Sequence, residues 1–386
     1  MARYLFVVPP LTGHINPTVS IAAALERRGH EVAWVAHPGA ARPLLPPGAR
    51  IFELDDRIPT ELRDEMAARG RANRGLAAFK FLWEEFFLPL AHAMLPGVEA
   101  AIAEFDPALL IVDQQAMAGG LAARRLGRRY ATLASTSAGV TEWLAELPLV
   151  HEWLDERQAQ LQREVGLEPV PHPDRSPDLV IICSAPALAG EDVDWPAHYR
   201  FIGPSIAARA DATPFPWERL DPSLRGVLVS LGTVNAERGE KFYRAAVSAL
   251  SELPVQAVFA APPDLVGPVP EHFIVQPWVP QLQLLPHLSA VVGHGGHNTT
   301  VEALSFGLPL VLAPIRDDQP VVARQVELAG AGLRVRFGRV DAKALKSAVS
   351  AVLDEPSYRE AAARIRDAFA RAGGPEAAAD ALERAT

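Results

Sequence analysis

The sequence predicts an α/β protein with two doubly wound, Rossmann-like domains that face a central cleft. Short apolar runs alternate with helix-like segments, this alternation occurs in two series, and a proline-rich stretch without periodicity separates them. Alternating strands and helices indicate parallel βαβ units, because parallel strands need a long crossover connection. A chain of 386 residues also exceeds the size of one ordinary core, which favours two domains.

The first series begins with an apolar run that reads as a buried strand. Asn16 followed by Pro17 predicts a helix N-terminus, with asparagine as N-cap and proline at the first helical position, and Gly29 predicts the end of that helix. The strands predicted in this half are 4–8, 31–36, 50–54, 108–112, 129–133, 178–183 and 200–202.

The second series predicts a domain of the same class. Its predicted strands are 226–231, 255–260, 273–276, 290–293, 309–314 and 333–337, and its predicted helices are 237–250, 298–306 and 319–329. We expect an N-terminal domain at 1–204, a linker at 205–224, a second domain at 225–370, and a C-terminal helix at 371–386 that packs back on the first domain. In such sheets, ligands bind at the carboxyl ends of the strands.

Composition and charge restrict the partners. The chain is 49% hydrophobic with a net charge of −9, and its Lys and Arg residues form no long basic block, which argues against nucleic acid and anionic membranes. Cys183 is the single cysteine, so no internal disulfide forms, and a buried strand position suits it. No apolar stretch approaches the ~20 residues that cross a bilayer. We therefore expect a cytoplasmic protein without a membrane span.

The segment 278–319 carries the strongest chemical pattern. A strand at 290–293 leads into a glycine turn at 294–296, and Asn298 is the predicted N-cap of the next helix. Free N–H groups and the positive end of the dipole make a helix N-terminus a diphosphate site. His294 and Thr299 can add hydrogen bonds to the phosphate oxygens.

Further residues of this segment suit the rest of a nucleotide sugar. Glu302 lies one turn after Asn298 and can accept two ribose hydroxyls. Trp278 follows a strand, where its ring can stack on a flat base, and Asp318 and Gln319 follow the next strand, where they can contact sugar hydroxyls. Each residue alone also fits a cap, a turn or a core position, but the ordered set is specific.

Two residues of the first half are candidates for proton transfer. His14 lies directly after the first strand, in a predicted loop at the carboxyl edge of the sheet, where an imidazole can accept a hydroxyl proton near neutral pH. Asp113 ends the strand 108–112 at the same edge. The alternatives are an exposed loop histidine and an aspartate that caps the following helix.

The segment 278–319 resembles the nucleotide-sugar signature of GT-B inverting glycosyltransferases, the family of bacterial macrolide and antibiotic glycosyltransferases and of plant secondary-product UDP-glycosyltransferases. The resemblance covers nearly the whole chain. His297 departs from it, because plant members usually carry tryptophan there. The donor-binding residues that the resemblance implies are Ser230, Gly232, Thr233, Trp278, Val279, Gln281, His294, Gly296, Asn298, Thr299, Glu302, Asp318 and Gln319.

The resemblance also implies a reaction. Trp278 would stack on the base, Gln281 and Glu302 would hold the ribose, and a dyad of His14 and Asp113 would activate an acceptor hydroxyl. The expected function is inverting transfer from a UDP- or dTDP-sugar to a small apolar natural product such as a polyketide, macrolide or phenol. A nucleotide-sugar epimerase, a carotenoid or sterol glucosyltransferase, and an inactive partner of another glycosyltransferase are the alternatives.

We expect no cofactor and no metal, since the nucleotide sugar is a co-substrate. Asp192 and Asp194 have the spacing of an acidic metal-binding pair, but they fit a loop. The oligomeric state is a monomer or a homodimer. Aromatic residues crowd 79–87, which fits either a buried helix or a wall for the acceptor. On the second interpretation the acceptor-binding residues are Phe79, Trp83, Phe87 and Trp143.

Overall fold

The computed structural model describes residues 1–55, 76–141, 143–206, 213–232 and 239–386. The chain forms two compact units. The first comprises Met1–Ser184, Asp194–Ala208 and Ala372–Thr386, and the second comprises Ala185–Val193 and Arg209–Arg371. Residues 185–193 therefore belong to the second unit, although they precede the linker expected at 205–224.

The first unit contains a parallel sheet of seven strands in the order β3-β2-β1-β4-β5-β6-β7. The strands are Arg3–Val7 (β1), Glu31–Ala36 (β2), Arg50–Glu53 (β3), Leu109–Asp113 (β4), Tyr130–Ala134 (β5), Val180–Ile182 (β6) and Tyr199–Phe201 (β7). The strand order reverses between β1 and β4, where Val7 pairs with Val112. This reversal is a topological switch point, the place where open α/β sheets bind ligands.

Helices pack on both faces of this sheet. They are Thr12–Arg27 (α1), Pro38–Ala41 (α2), Leu76–Phe105 (α3, with a π-helical segment at Trp83–Phe87), Ala118–Arg125 (α4), Pro148–Glu164 (α5) and the C-terminal helix Gly374–Ala385. Alternate residues of β1 enter opposite cores: Tyr4 and Phe6 lie in one, and Leu5 and Val7 in the other. This period of two follows from the pleat of a strand, and burial on both faces explains its continuous apolar sequence.

Helix α1 starts earlier than the sequence predicts, so the expected N-cap at Asn16 is wrong. Leu11 is the N-cap, and its carbonyl accepts the N–H groups of His14 and Ile15 at 2.9 and 3.1 Å. Pro17 consequently lies inside the helix. His14 therefore occupies the first helical turn and not a loop.

Helix α3 corrects the expectation that no stretch is apolar enough to span a membrane. Among the described residues, Leu76–Phe105 is long and apolar enough to do so by length and composition. Charged residues interrupt the apolar run at Lys80, Glu84, Glu85, Glu99 and Glu104, which hides the helix from inspection. Phe87, Met94, Val98 and Phe105 are buried in the core beneath β1, as expected of a core helix.

The C-terminal helix belongs to the first unit. Its Ala378 and Leu382 are buried in the same core as Tyr4. Arg28, which follows α1, forms ion pairs with Glu376, Asp380 and Glu383 on the exposed side of this helix. Gly374 donates its N–H to the carbonyl of Ile202 at 2.7 Å. The last residues are thus attached to the unit that contains the first strand.

The second unit contains a parallel sheet of six strands in the order β10-β9-β8-β11-β12-β13. The strands are Arg225–Ser230 (β8), Val255–Ala260 (β9), Ile274–Gln276 (β10), Ala290–Gly293 (β11), Leu310–Leu312 (β12) and Gly332–Arg334 (β13). The helices are Pro186–Ala189 (α6), Glu240–Leu250 (α7), Pro263–Val266 (α8), Gln281–Leu284 (α9), His297–Ser305 (α10), Gln319–Leu328 (α11), Ala342–Asp354 (α12) and Pro356–Ala372 (α13). Here the order reverses between β8 and β11, where Ser230 pairs with Gly293.

Candidate active site

His14 and Asp113 meet at the switch point of the first sheet. Nδ1 of His14 lies 2.9 Å from Oδ1 and 3.0 Å from Oδ2 of Asp113. The carboxylate is fully buried, whereas the imidazole is 15% exposed. The two residues come from the first turn of α1 and the last position of β4, which the strand order makes neighbours.

Asp113 is held by the turn that follows its own strand. Its Oδ1 accepts the N–H of Gln115 at 2.9 Å. Helix α4 begins at Ala118 with Met117 as N-cap, so Asp113 does not cap that helix. Of the two interpretations of this residue, the structure supports a partner for His14 and excludes the helix cap.

A third polar residue, which the sequence did not identify, contacts both members of the pair. The hydroxyl oxygen of Ser135 lies 2.7 Å from Nδ1 of His14 and 2.9 Å from Oδ2 of Asp113. Ser135 directly follows β5, which lies beside β4 in the sheet. The only sequence signal for Ser135 was its position after a predicted strand. A single serine at such a position does not by itself indicate a functional residue.

The arrangement defines the tautomer of His14. A buried carboxylate only accepts hydrogen bonds, so Nδ1 carries the proton that points to Asp113. The lone pair of a neutral imidazole then lies on Nε2. Such a ring can accept a proton from a hydroxyl at Nε2 while the carboxylate stabilises the resulting cation.

The loops at the switch point of the second sheet contain the glycines predicted for the donor site. Gly232 follows β8 with a φ of +69°, and Gly295 follows β11 with a φ of +83°. The N–H of Gly232 donates to the side-chain oxygen of Ser230 at 3.3 Å. A Cβ on Gly296 would lie 2.4 Å from Nε2 of His294, so the backbone approaches this ring closely. Thr233 lies outside the described residues.

Burial lowers the pKa of His294 below its ordinary value of 6.5, although the Asp318 carboxylate and the Ser230 carbonyl act in the opposite direction. The ring is therefore neutral at neutral pH. A neutral imidazole offers one N–H to an anion and adds no charge, so a diphosphate here would depend on backbone N–H groups for much of its binding.

Helix α10 begins at His297, and its N-cap is Gly296, so the predicted N-cap role of Asn298 is wrong. The glycine turn enters the helix directly because Gly296 has extended backbone angles, with φ of −62° and ψ of 136°. Asn298 and Thr299 lie in the first turn, and both are partly buried. Since glycine supplies no capping side chain, the N-terminus of α10 retains the character of an anion site.

Three residues expected around the nucleoside lie near the start of α9. Gln281 donates from Nε2 to Oε2 of Glu302 at 2.5 Å, which joins the two predicted ribose ligands. Trp278 is 62% exposed, an unusual state for the largest apolar side chain. Val279 packs against the core of the second unit, so its side chain has a structural role.

The side chains of Asp318 and Gln319 lie in different environments. Gln319 is buried, and its Oε1 accepts the N–H groups of Ile315 and Arg316 at 3.0 and 3.2 Å. Its carbonyl oxygen therefore shapes the loop after β12. Asp318 is the N-cap residue of α11 without a side-chain capping bond.

The aromatic residues of α3 form a cluster around Phe79. Its ring lies 5.5 Å from that of Trp143 and 6.3 Å from those of Trp83 and Trp153, between ring centroids. These four rings are partly buried, whereas Phe87 is buried in the core. The rings around Phe79 therefore remain partly accessible, whereas Phe87 belongs to the core.

Among the described residues, no three His, Cys, Asp or Glu side chains form a group that could hold a metal ion.

Comparisons with known proteins identify the family of this chain. Residues 194–369 match the family described as UDP-glucoronosyl and UDP-glucosyl transferase. The 4'-demethylrebeccamycin synthase of Lentzea aerocolonigenes is 30% identical over 99% of this chain and 99% of its own length. The demethyllactenocin mycarosyltransferase of Streptomyces fradiae is 30% identical over 99% of this chain and 86% of its own length.

Solved structures show the same fold. The glycotransferase of kitacinnamycin has a TM-score of 0.79 and 25% identity, with 100% of this chain and 99% of that chain covered. A spinosyn rhamnosyltransferase complexed with thymidine diphosphate has a TM-score of 0.75 and 24% identity, with 99% and 100% covered. The relatives matched over the whole chain establish that this protein belongs to the UDP-glucoronosyl and UDP-glucosyl transferase family and is a glycosyltransferase of the GT-B fold.

Proposed function

We propose that this enzyme transfers a sugar from a UDP- or dTDP-sugar, with inversion, to a hydroxyl of a small apolar natural product. The relatives support the acceptor class, since they include a demethylrebeccamycin synthase and a demethyllactenocin mycarosyltransferase. The observation that carries the chemistry is the contact of Nδ1 of His14 with the buried carboxylate of Asp113. This contact leaves Nε2 as the base.

The proposed reaction is a single displacement. Nε2 of His14 takes the proton of the acceptor hydroxyl while its oxygen bonds to the anomeric carbon. The bond from that carbon to the nucleoside diphosphate breaks, and its electron pair leaves with the diphosphate. An α-linked donor therefore gives a β-glycoside. Asp113 stabilises the imidazolium that forms.

In this proposal the second unit holds the donor. Trp278 stacks on the base, Gln281 and Glu302 hold the ribose, and the N-terminus of α10 binds the diphosphate together with His294. The N–H groups at that helix end stabilise the charge on the departing diphosphate. Asp318 and Gln319 contact the sugar, and Ser230 and Gly232 shape the loop beside it. The open rings of Phe79, Trp83 and Trp143 contact the acceptor.

We also propose that the transfer needs no metal or cofactor and takes place in the cytoplasm. Full turnover in EDTA would support metal independence. Loss of turnover in EDTA that Mg²⁺ restores would contradict it.

Nucleotide binding and base removal test the function separately. UDP or dTDP at about 100 times its dissociation constant should raise the free energy of unfolding by about 2.7 kcal/mol, which thermal unfolding detects, with ADP and GDP as controls. His14→Ala should lower turnover by about 10²–10⁴-fold without weakening nucleotide binding. No thermal shift with UDP or dTDP would contradict the donor assignment, and His14→Ala with wild-type turnover would contradict the base.

A further inference from the structure

We propose that Ser135 is a positioning residue of the transfer reaction, whose hydroxyl holds the His14 ring with its proton on Nδ1. The proposal rests on the proposed role of His14 as the base. Its basis is geometric: the side-chain oxygen of Ser135 lies 2.7 Å from Nδ1 of His14 and 2.9 Å from Oδ2 of Asp113. Ser135 is 3% exposed, so water does not substitute for these contacts.

The proton arrangement around these three groups has one consistent solution. Oδ2 of Asp113 accepts the hydroxyl proton of Ser135, because a carboxylate has no proton to give. The serine oxygen then presents a lone pair to Nδ1 of His14, which must carry a proton for a contact of 2.7 Å to be favourable. Ser135 thereby favours the same tautomer that the Asp113 carboxylate already requires, in which the lone pair of Nε2 can act as a base.

The same contact supports the charged form of the ring. When Nε2 takes up a proton, the hydrogen bonds made by Nδ1–H become charge-assisted and therefore stronger. Nδ1 then faces both carboxylate oxygens of Asp113 and the hydroxyl oxygen of Ser135. The buried Cys183 thiol adds no charge here, because burial and the Asp113 carboxylate raise its pKa to about 12. Ser135 should consequently affect kcat more than KM.

A purely structural role makes a different prediction. A buried serine could be present only to satisfy its own hydroxyl and fix the loop after β5. In that case, any substitution that loosens this loop would have the same effect. Thr136 offers the matched control, since it follows Ser135 and caps the turn Ser137–Val140 by accepting the N–H of Ala138 at 3.4 Å.

The decisive experiment measures the tautomer and the protonation of the His14 ring in the absence of substrate. Long-range ¹H–¹⁵N spectra of ¹⁵N-histidine-labelled protein are recorded from pH 5 to 9 for the wild type, Ser135→Ala and Thr136→Ala, with His14→Ala to assign the signals. In the wild type we expect the proton on Nδ1 across the neutral range. In Ser135→Ala we expect the proton to stay on Nδ1, because the Asp113 carboxylate still accepts it, and the titration midpoint to fall by about half a unit to one unit. Thr136→Ala should match the wild type.

Turnover provides the second readout, with UDP-glucose and dTDP-glucose as donors and 4-methylumbelliferone as a phenolic acceptor. Ser135→Ala should lower kcat by about tenfold and leave both KM values within about twofold. Ser135→Thr, which keeps the hydroxyl, should recover most of the loss if its unfolding temperature matches the wild type. A wild-type titration midpoint in Ser135→Ala would overturn the proposal, as would an equal loss of kcat in Thr136→Ala.

The two hypotheses fail in distinguishable ways. If His14→Ala is inactive while Ser135→Ala has wild-type spectra and kcat, the assignment of His14 as the base is supported and the positioning role of Ser135 is wrong. If His14→Ala keeps its turnover, the proposed base is wrong, and the role of Ser135 falls with it.

Discussion

A Cβ atom on Gly232 would lie 2.8 Å from Cε1 and 3.0 Å from Nε2 of His294. The ring of the histidine therefore occupies the space that any other residue at position 232 would need. Gly232 follows β8 and His294 follows β11, the two strands at the switch point of the second sheet. The proposed diphosphate site thus depends on the close contact between the imidazole of His294 and the backbone of Gly232.

Gly232→Ala should weaken donor binding because of this contact. The φ of +69° disfavours any L-residue by about 1–2 kcal/mol, and the added methyl must also displace the ring of His294. We expect the Kd for UDP or dTDP to rise at least about tenfold, as the ring and the loop move apart. Calorimetric titration of each nucleotide measures this change.

Gly267→Ala is the control for backbone strain. Gly267 belongs to the same unit and has a φ of +79°, but a Cβ there meets nothing within 4 Å. Both variants should lose stability through the positive φ, whereas only Gly232→Ala should lose nucleotide affinity. Equal affinity in both variants would show that the ring contact has no part in binding.

The burial of His294 predicts a pH dependence of stability. The pKa of the folded ring lies below 6.5, whereas the unfolded ring has the ordinary value. As the pH falls below 6.5, the unfolded chain binds a proton that the folded protein does not, so the free energy of unfolding decreases until the lowered pKa is reached. Above pH 6.5 this contribution is constant.

Urea unfolding between pH 5 and 8 checks this dependence. His294→Gln should reduce the slope below pH 6.5, and the stability difference from the wild type should be largest above that pH. An unchanged slope in His294→Gln would contradict the depressed pKa.

The fold could be predicted in most of its parts because local pattern and tertiary structure agree. The run 290–293 is apolar, is rich in β-branched residues and is followed by glycines, and β11 has those bounds. The sequence placed His14 and Asp113 at the same edge of the sheet, and the family resemblance implied their pairing. The structure brings them together because β1 and β4 are neighbouring parallel strands. Helix starts were less predictable. The Asn16-Pro17 signal did not start α1, because the carbonyl of Leu11 accepts the first helical hydrogen bonds directly after Pro10.

The parts of the site that could not be predicted depend on contacts between distant residues. Ser135 reaches the pair because β5 lies beside β4, with Leu133 in register with Asp113, and no feature of the sequence around 135 indicates this. The hydrogen bond from the Ile315 N–H to Oε1 of Gln319 likewise depends on the path of the loop after β12. Residue type identified both glutamine and serine as polar, but only the backbone path determines which groups their side chains meet.

Asp113→Asn should leave the fold intact and impair the reaction. The amide oxygen can still accept the Nδ1 proton of His14, but it brings no charge to stabilise the imidazolium. We expect kcat to fall by about 10²–10⁴-fold with unchanged affinity for UDP or dTDP. Asp174→Asn is the control, because Asp174 accepts from Gln114 at 2.7 Å in the same region. A similar loss of kcat in both variants would indicate damage to the fold.

Trp278 separates binding from stability, because its ring is 62% exposed and contributes little to the core. Stacking of a base on an aromatic ring contributes about 1–3 kcal/mol, so Trp278→Ala should raise the Kd for UDP or dTDP by about tenfold or more. Trp278→Phe keeps a stacking surface and should recover most of this affinity. Neither substitution should change the unfolding temperature of the free enzyme. If Trp278→Ala instead lowered that temperature and left the Kd unchanged, the tryptophan would be a structural residue, and the base would have to bind elsewhere in the second unit.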